Sequence, residues 1–292
     1  MRFMRIIELY SNKGDHTIRA AVIGTCRLAN PLNELREIDG AKVLWAHSGF
    51  AHSIHDAMQW ISLIKNEKTV PKGLYQLIFG RTFEELNGSE TEKKFQRGLE
   101  LFNSCDILIL EISSNKRVHT KNFDFNSNYL NNNFIRPGGI EILNWWSKVC
   151  KGGDISKEEI QKGIETISEK KLFTKKDSKM ILSECKMTID ENKEMLKSIN
   201  KLNNDLKDME CIIIVNPDPS YSNVSKFLSS ESRKNKKFKY LDPNTLIKNF
   251  KVEEVFMGKG KDKNHYDEEF NIKVGEHIRN FIFSDKRILS DF

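Results

Sequence analysis

No apolar run in this chain approaches the roughly 20 residues that a membrane-spanning helix needs. Residues 1–10 are too short and too interrupted by charge to read as a signal peptide. A Cys-x-x-Cys pair is missing too. The five cysteines, Cys26, Cys105, Cys150, Cys185 and Cys211, are widely spaced and odd in number, which argues against a disulfide framework or a zinc site. Free thiols in a reducing, cytoplasmic setting are expected instead. Helix-turn-helix, zinc-finger and RNA-recognition signatures are absent, so the formal net charge of +6 carries no nucleic-acid expectation. The surplus lies in lysine-rich residues 232–239 and 257–263, which read as solvated loop faces; the alternative is an anion site for phosphate, a nucleotide-bearing cofactor or an acidic glycan. No internal repeat or extended low-complexity tract is evident.

What is present suits a globular protein: 292 residues, 38% hydrophobic and 30% charged. Short apolar runs rich in β-branched residues recur at 18–23, 41–45, 105–110, 211–215 and 238–241, and stretches of helical spacing lie between them. This alternation predicts an α/β fold, a flavodoxin-like three-layer sandwich on a five-stranded parallel sheet, whose ligands sit beyond the carboxyl ends of the strands. Phe270, Val274, Ile278 and Phe281 mark a last helix within 266–281 that packs on the sheet.

The rhythm breaks between 138 and 208, where there is no strand candidate but two helix starts of the Ser/Thr-x-x-Glu type, Ser156 to Glu159 and Thr188 to Glu191. The expected division is therefore 1–137 for the first part of the core, 138–208 for a helical insertion and 209–292 for the rest of the core. Met195, Ile199, Leu202 and Leu206 form an apolar stripe on the second of these helices. It reads as packed on the main body, with a homo-oligomer or partner surface as the alternative. The Asn-rich stretch 122–133 reads as a long mobile loop.

Two stretches carry chemistry. Gly24-Thr25-Cys26-Arg27 closes the run at 18–23 and places a thiol where a helix N-terminus would follow; N–H groups and helix dipole there favour thiolate and stabilise a developing oxyanion. A packed small residue is the plainer reading of such a cysteine. Near the C-terminus, Asp262 and His265 are three residues apart just before the last helix, a separation that lets a carboxylate orient one imidazole nitrogen while the other serves as a base.

In the order of these elements the chain resembles the SGNH or GDSL hydrolase superfamily, whose first block is Gly-Asp-Ser at the exit of the first strand and whose last is Asp-x-x-His before the final helix. Gly24-Thr25-Cys26 stands in the first block, and Asp262 to His265 in the last. Gly49 takes the place of the second block's glycine, and Ser113 to Asn115 that of the third block's Gly-x-Asn. The resemblance implies an oxyanion hole from Cys26, Gly49 and Asn115, and a Cys26–His265–Asp262 triad for acyl transfer or ester hydrolysis on a glycan or other ester or thioester. It extends to branches with cysteine as nucleophile, including proteins of capsule and surface-polysaccharide biosynthesis. No cofactor is required, and acyl-CoA is a candidate donor. Thr25 in place of Asp and Ser113 in place of Gly depart from the pattern. The other implied outcome is an inactive relative that binds a nucleotide-bearing cofactor or glycan.

Around this set, Arg27 is a candidate to lower the thiol pKa or hold an anion, with a surface ion pair as its alternative. His47 and Ser113 are candidate substrate contacts. His47, His52 and His55 with Asp56 raise the question of a metal, but ordinary polar surface is the simpler reading and no metal is assigned. Glu111, closing an apolar run, reads as a structural hydrogen-bond partner, with general-base work as the alternative. Trp145 and Trp146 read as packing residues, with glycan stacking as the alternative.

Overall fold

The computed structural model describes residues 4–12, 14–47, 49, 51–65, 67, 69–217, 222–235 and 238–284. Lys236 and Lys237, part of the lysine-rich run 232–239, lie outside the described residues. In chain order the strands are β1 (Met4–Tyr10), β2 (Thr17–Ile23), β3 (Ala41–His47), β4 (Ile107–Glu111), β5 (Lys116–His119), β6 (Asp124–Phe125), β7 (Lys186–Ile189), β8 (Cys211–Val215), β9 (Phe238–Leu241), β10 (Phe256–Met257) and β11 (Asp262–Tyr266). The longer helices are α1 (Cys26–Glu34), α2 (Ile54–Ile64), α3 (Ser89–Asn103), α4 (Ile140–Lys151), α5 (Lys157–Glu169), α6 (Lys175–Glu184), α7 (Asn192–Asp205), α8 (Ser222–Ser232) and α9 (Glu268–Ser284). Among the described residues no helix is long and apolar enough to cross a membrane.

The chain forms two compact units, one of residues 1–57, 97–114 and 192–292, the other of 58–96 and 115–191. The first contains a six-stranded sheet in the order β3-β1-β2-β4-β8-β9. β2, β4, β8 and β9 are parallel, and β1 lies antiparallel to both β2 and β3. The sheet is therefore mixed and has one strand more than the five read from sequence. Those five all run in one direction. With β1 set aside, their order is the 2-1-3-4-5 of doubly wound folds. Charges at Arg5 and Glu8 disguise β1 as something other than a strand. Arg5 donates to the Ala29 carbonyl of α1 at 2.9 Å and Glu8 accepts from Arg19 of β2 at 3.1 Å, so both polar groups find partners on neighbouring elements.

Alternate residues of the central strands, Val22, Ile109 and Ile213 on one face and Ile23, Leu110 and Ile214 on the other, are all buried, as a sheet covered on both sides requires. The first set shares a core with Leu28, Leu32, Tyr266, Phe270, Val274 and Ile278. Thus α1 and α9 lie on that face. Gly275 of α9 faces the Pro31 carbonyl of α1 at a spacing that leaves no room for a Cβ. Gly275→Ala is expected to cost about 1–3 kcal/mol of stability through overpacking, read as a lower urea midpoint at unchanged m-value.

The second unit holds the antiparallel sheet β6-β5-β7 with α4, α5 and α6. The expected insertion over 138–208 differs from this division: its last helix, α7, belongs to the first unit, and β7 lies within the stretch thought to lack a strand. Thr188 is accordingly a strand residue paired with Arg117, and the helix starts at Asn192 instead. The stripe Met195, Ile199, Leu202 and Leu206 is buried. Ser156 caps α5 through a capping box with Glu159, as its sequence predicts. The Asn-rich stretch is ordered. Asn126 accepts from Asn128 N and Tyr129 N and starts a helical segment that buries Leu130, Phe134 and Ile135.

Candidate functional site

The first strand exit is built as its residue types require. Thr25, in extended conformation, caps α1 by accepting from Arg27 N at 3.2 Å, and Cys26 is the first residue of the helix. Behind it lies Glu111, the last residue of β4 and 1% exposed. Its Oε2 accepts from Thr25 N at 2.7 Å and from Thr25 Oγ1 at 2.8 Å, while Oε1 accepts from Ser113 Oγ at 2.8 Å. Gly24 makes the approach feasible, because a Cβ there would come within 2.9 Å of Glu111 Cβ. β2 and β4 are the neighbours at which the winding of the sheet reverses, and the crevice beyond their carboxyl ends is where ligands bind in such folds.

The loop after β3 is stitched to this crevice by backbone hydrogen bonds. Ala51 N donates to the Gly24 carbonyl at 3.2 Å, and Ser113 N and Ser114 N donate to the His52 carbonyl at 2.9 and 3.0 Å. Gly49, two residues earlier, is buried and has φ of 149°, a conformation that favours glycine. His47 is buried at the end of β3, its ring stacked 5.8 Å from Trp45. Asp56 accepts from His52 N at 3.1 Å and Ser53 N at 3.3 Å, so it serves as the capping group for the start of α2. Among the described residues no three His, Cys, Asp or Glu side chains gather as a metal ion would need.

Asp262 and His265 stand on β11. Met257 pairs with Asp262 and Phe256 with Tyr266, so residues 263–265 are extra on that strand and bulge from the ladder. The bulge lets two residues three apart meet, and His265 Nδ1 lies 2.7 Å from Asp262 Oδ2. With Nδ1–H donating to that carboxylate, Nε2 is the nitrogen that takes a proton. The hairpin packs against α1. Which end it meets follows from α9: Gly275 faces Pro31, and Arg279, further along α9, faces Gly40, beyond the end of α1. The two helices thus run the same way, and β11, which leads into α9, lies toward the Cys26 end of α1.

The electrostatics correct one expectation. The Cys26 thiol pKa is raised, not lowered: burial is the main cause and the Glu111 charge the next, against opposing pulls from Arg27 and from the backbone N–H groups of Cys26 and Arg27. Desolvation outweighs the helix terminus. Burial also raises Glu111 to about 7, even though the Thr25 and Ser113 donors and Arg27 pull it down. Cys105 and Cys185 are pushed up to about 12 by burial, as inert structural thiols are.

Comparison with known families gives a match to the TviD N-terminal domain over residues 18–281. The chain belongs to the TviD N-terminal domain family. No curated protein and no solved structure matches it. The family match spans the Cys26 turn, Glu111 and the Asp262–His265 pair in one stretch. None of the comparisons returns an SGNH or GDSL family, so that likeness rests on the motif positions quoted above.

Other residues singled out in the sequence of this family member have partners of their own. Asn115 belongs to the second unit, where its Nδ2 donates to the Asp190 carbonyl at 3.3 Å. Trp145 is a packing residue whose Nε1 donates to the Leu182 carbonyl at 3.0 Å, with Trp146 tilted against it. A cavity of about 580 Å³ in the second unit, bordered by Lys72, Phe83, Ser168, Lys171 and Lys175, contains none of the predicted site residues. Sequence reasoning foresaw a structural hydrogen bond at Glu111 but not that Thr25 would be its partner. The available signal was a lone acid closing the run Ile107–Glu111, placed at a strand exit where a buried charge needs donors.

Proposed function

We propose that this protein takes part in capsule polysaccharide modification, as an acyltransferase or esterase that uses Cys26 as nucleophile and His265, oriented by Asp262, as base. The family match supports the polysaccharide context, since the TviD N-terminal domain is related to Vi capsule polysaccharide biosynthesis. What supports the chemistry is a helix-first cysteine at the crevice between β2 and β4, together with a hairpin that bears a paired His and Asp and packs against the helix this cysteine begins. In the first half-reaction the imidazole takes the thiol proton, the sulfur attacks an ester or thioester carbonyl, and the leaving alcohol or thiol recovers that proton from His265. In the second, His265 deprotonates a glycan hydroxyl or water, which attacks the thioester and releases the acyl group with the thiol restored. The N–H groups of Cys26 and Gly49 are assigned to the oxyanion. A sulfur nucleophile fits transfer better than hydrolysis, because the acyl-enzyme and a thioester donor are of similar energy.

Incubation of the protein with a panel of acyl-CoA and activated esters, followed by intact mass and peptide mapping, is expected to show one acyl group on Cys26. Its removal by a capsular glycan, faster than by water, marks a transferase. A panel that leaves Cys26 unmodified while a glycan still binds would replace the reading with that of a binding protein.

A further inference from the structure

We propose that Glu111 is a positioning residue for Cys26: its carboxylate clamps the Thr25 turn that launches α1, and its charge holds the neighbouring sulfur as thiol until a base takes the proton. The proposal rests on the reading of Cys26 as nucleophile and names what governs it. Thr25 is the N-cap of α1, and two of the three donors to Glu111 come from it, so the carboxylate fixes both the backbone and the side chain that set the first helical residue. Gly24 leaves no room for a side chain against Glu111 Cβ, so the strand exit packs closely on the residue that bears the carboxyl.

A purely structural role at this position would suit an apolar residue better. Ile107, Leu108, Ile109 and Leu110 before it are fully buried, and a buried carboxylate costs far more than another leucine. The carboxylate instead offers two acceptor oxygens to three donors, two of them on the residue before Cys26, and its charge acts on the thiol. Several groups act on Cys26. Burial and Glu111 oppose its ionisation; Arg27 and the N–H groups of Cys26 and Arg27 favour it. Arg27 acts on Glu111 as well, and Thr25 and Ser113 complete its surroundings. The Asp262–His265 hairpin packs on α1 from its own side and brings the base. Where the thiol titrates, above its ordinary value of 9, Glu111 with its pKa of about 7 is ionised, so its full charge opposes the thiolate. Sulfur attack is then tied to proton transfer, and the resting thiol resists adventitious alkylation.

The test needs no substrate. The rate of Cys26 alkylation by iodoacetamide is followed against pH by peptide mass spectrometry, with thermal unfolding in parallel, for the wild type, Glu111→Gln and Glu111→Asp. Gln keeps the shape without the charge, so the profile is expected to move to lower pH, with faster alkylation below the midpoint. Asp keeps the charge but is one methylene too short to reach both Thr25 donors, so its profile is expected to stay near the wild type while its melting temperature falls. A Gln variant with an unmoved profile, or an Asp variant that shifts as far as Gln, overturns the proposal. If Gln does not fold, the Asp profile alone decides. Failure of the acyl-donor panel with the alkylation shift intact would sink the enzymatic reading and leave the Glu111 assignment standing; the reverse pattern would do the opposite.

Discussion

His265→Ala is expected to slow acylation of Cys26 by about 10²–10⁴-fold, the usual contribution of a positioned general base. The raised thiol pKa makes the loss sharper, because little thiolate forms at neutral pH without a base. It also gives the variant a signature: its residual rate climbs with pH as the thiol ionises unaided, whereas the wild type gains less. Asp262→Asn should slow the reaction less than His265→Ala, since it removes the 2.7 Å partner of Nδ1 and not the base. Single-turnover acylation measured between about pH 6 and 10 checks both. A His265→Ala rate equal to that of the wild type across this range would mean that the base lies elsewhere.

The second large effect concerns stability. Glu111 has a folded pKa of about 7 against an ordinary 4.5, so between these values the folded state holds a proton that the unfolded state has released. Stability contributed by this group is therefore complete below pH 4.5 and is lost as pH rises to about 7. The loss amounts to roughly 3 kcal/mol at about 1.4 kcal/mol per unit. Glu111→Gln cannot ionise and should be flat across the window. Urea midpoints of the two proteins are expected to converge near pH 4.5 and to separate by pH 8, with the variant the more stable. A wild-type curve parallel to that of the variant would show that the carboxyl does not bind its proton this tightly when folded. A group this costly, bonded to the residue before Cys26, fits the positioning role proposed above.

Much of the framework was legible because it follows from local rules. The runs 18–23, 41–45, 105–110, 211–215 and 238–241 became β2, β3, β4, β8 and β9; for 18–23, 105–110 and 211–215, apolar residues buried on both faces of the sheet leave little else to form. Phe270, Val274 and Ile278 faced the sheet because 3.6-residue periodicity fixes a helix face. β1 was not legible, as its Arg5 and Glu8 find partners only through Ala29 and Arg19, which lie on other elements. Thr188 looked like a helix cap and was captured by pairing with Arg117 of β5, a contact 71 residues distant in the chain. The Asn-rich stretch looked mobile, yet Asn126 capped a turn that buries Phe134.

For the candidate site, sequence by itself determined the chemical types: a thiol after a strand, an Asp three residues before a His, and a lone acid ending an apolar run. Periodicity and turn chemistry settle such things within a few residues. Only the tertiary structure decided what those groups do to one another. The order of strands puts β4 beside β2, which brings Glu111 under Thr25, and the parallel run of α1 and α9 sets the Asp262–His265 hairpin toward Cys26. The sign of the thiol shift is likewise a property of burial and neighbouring charge, which depend on distances between chain segments rather than on any local pattern.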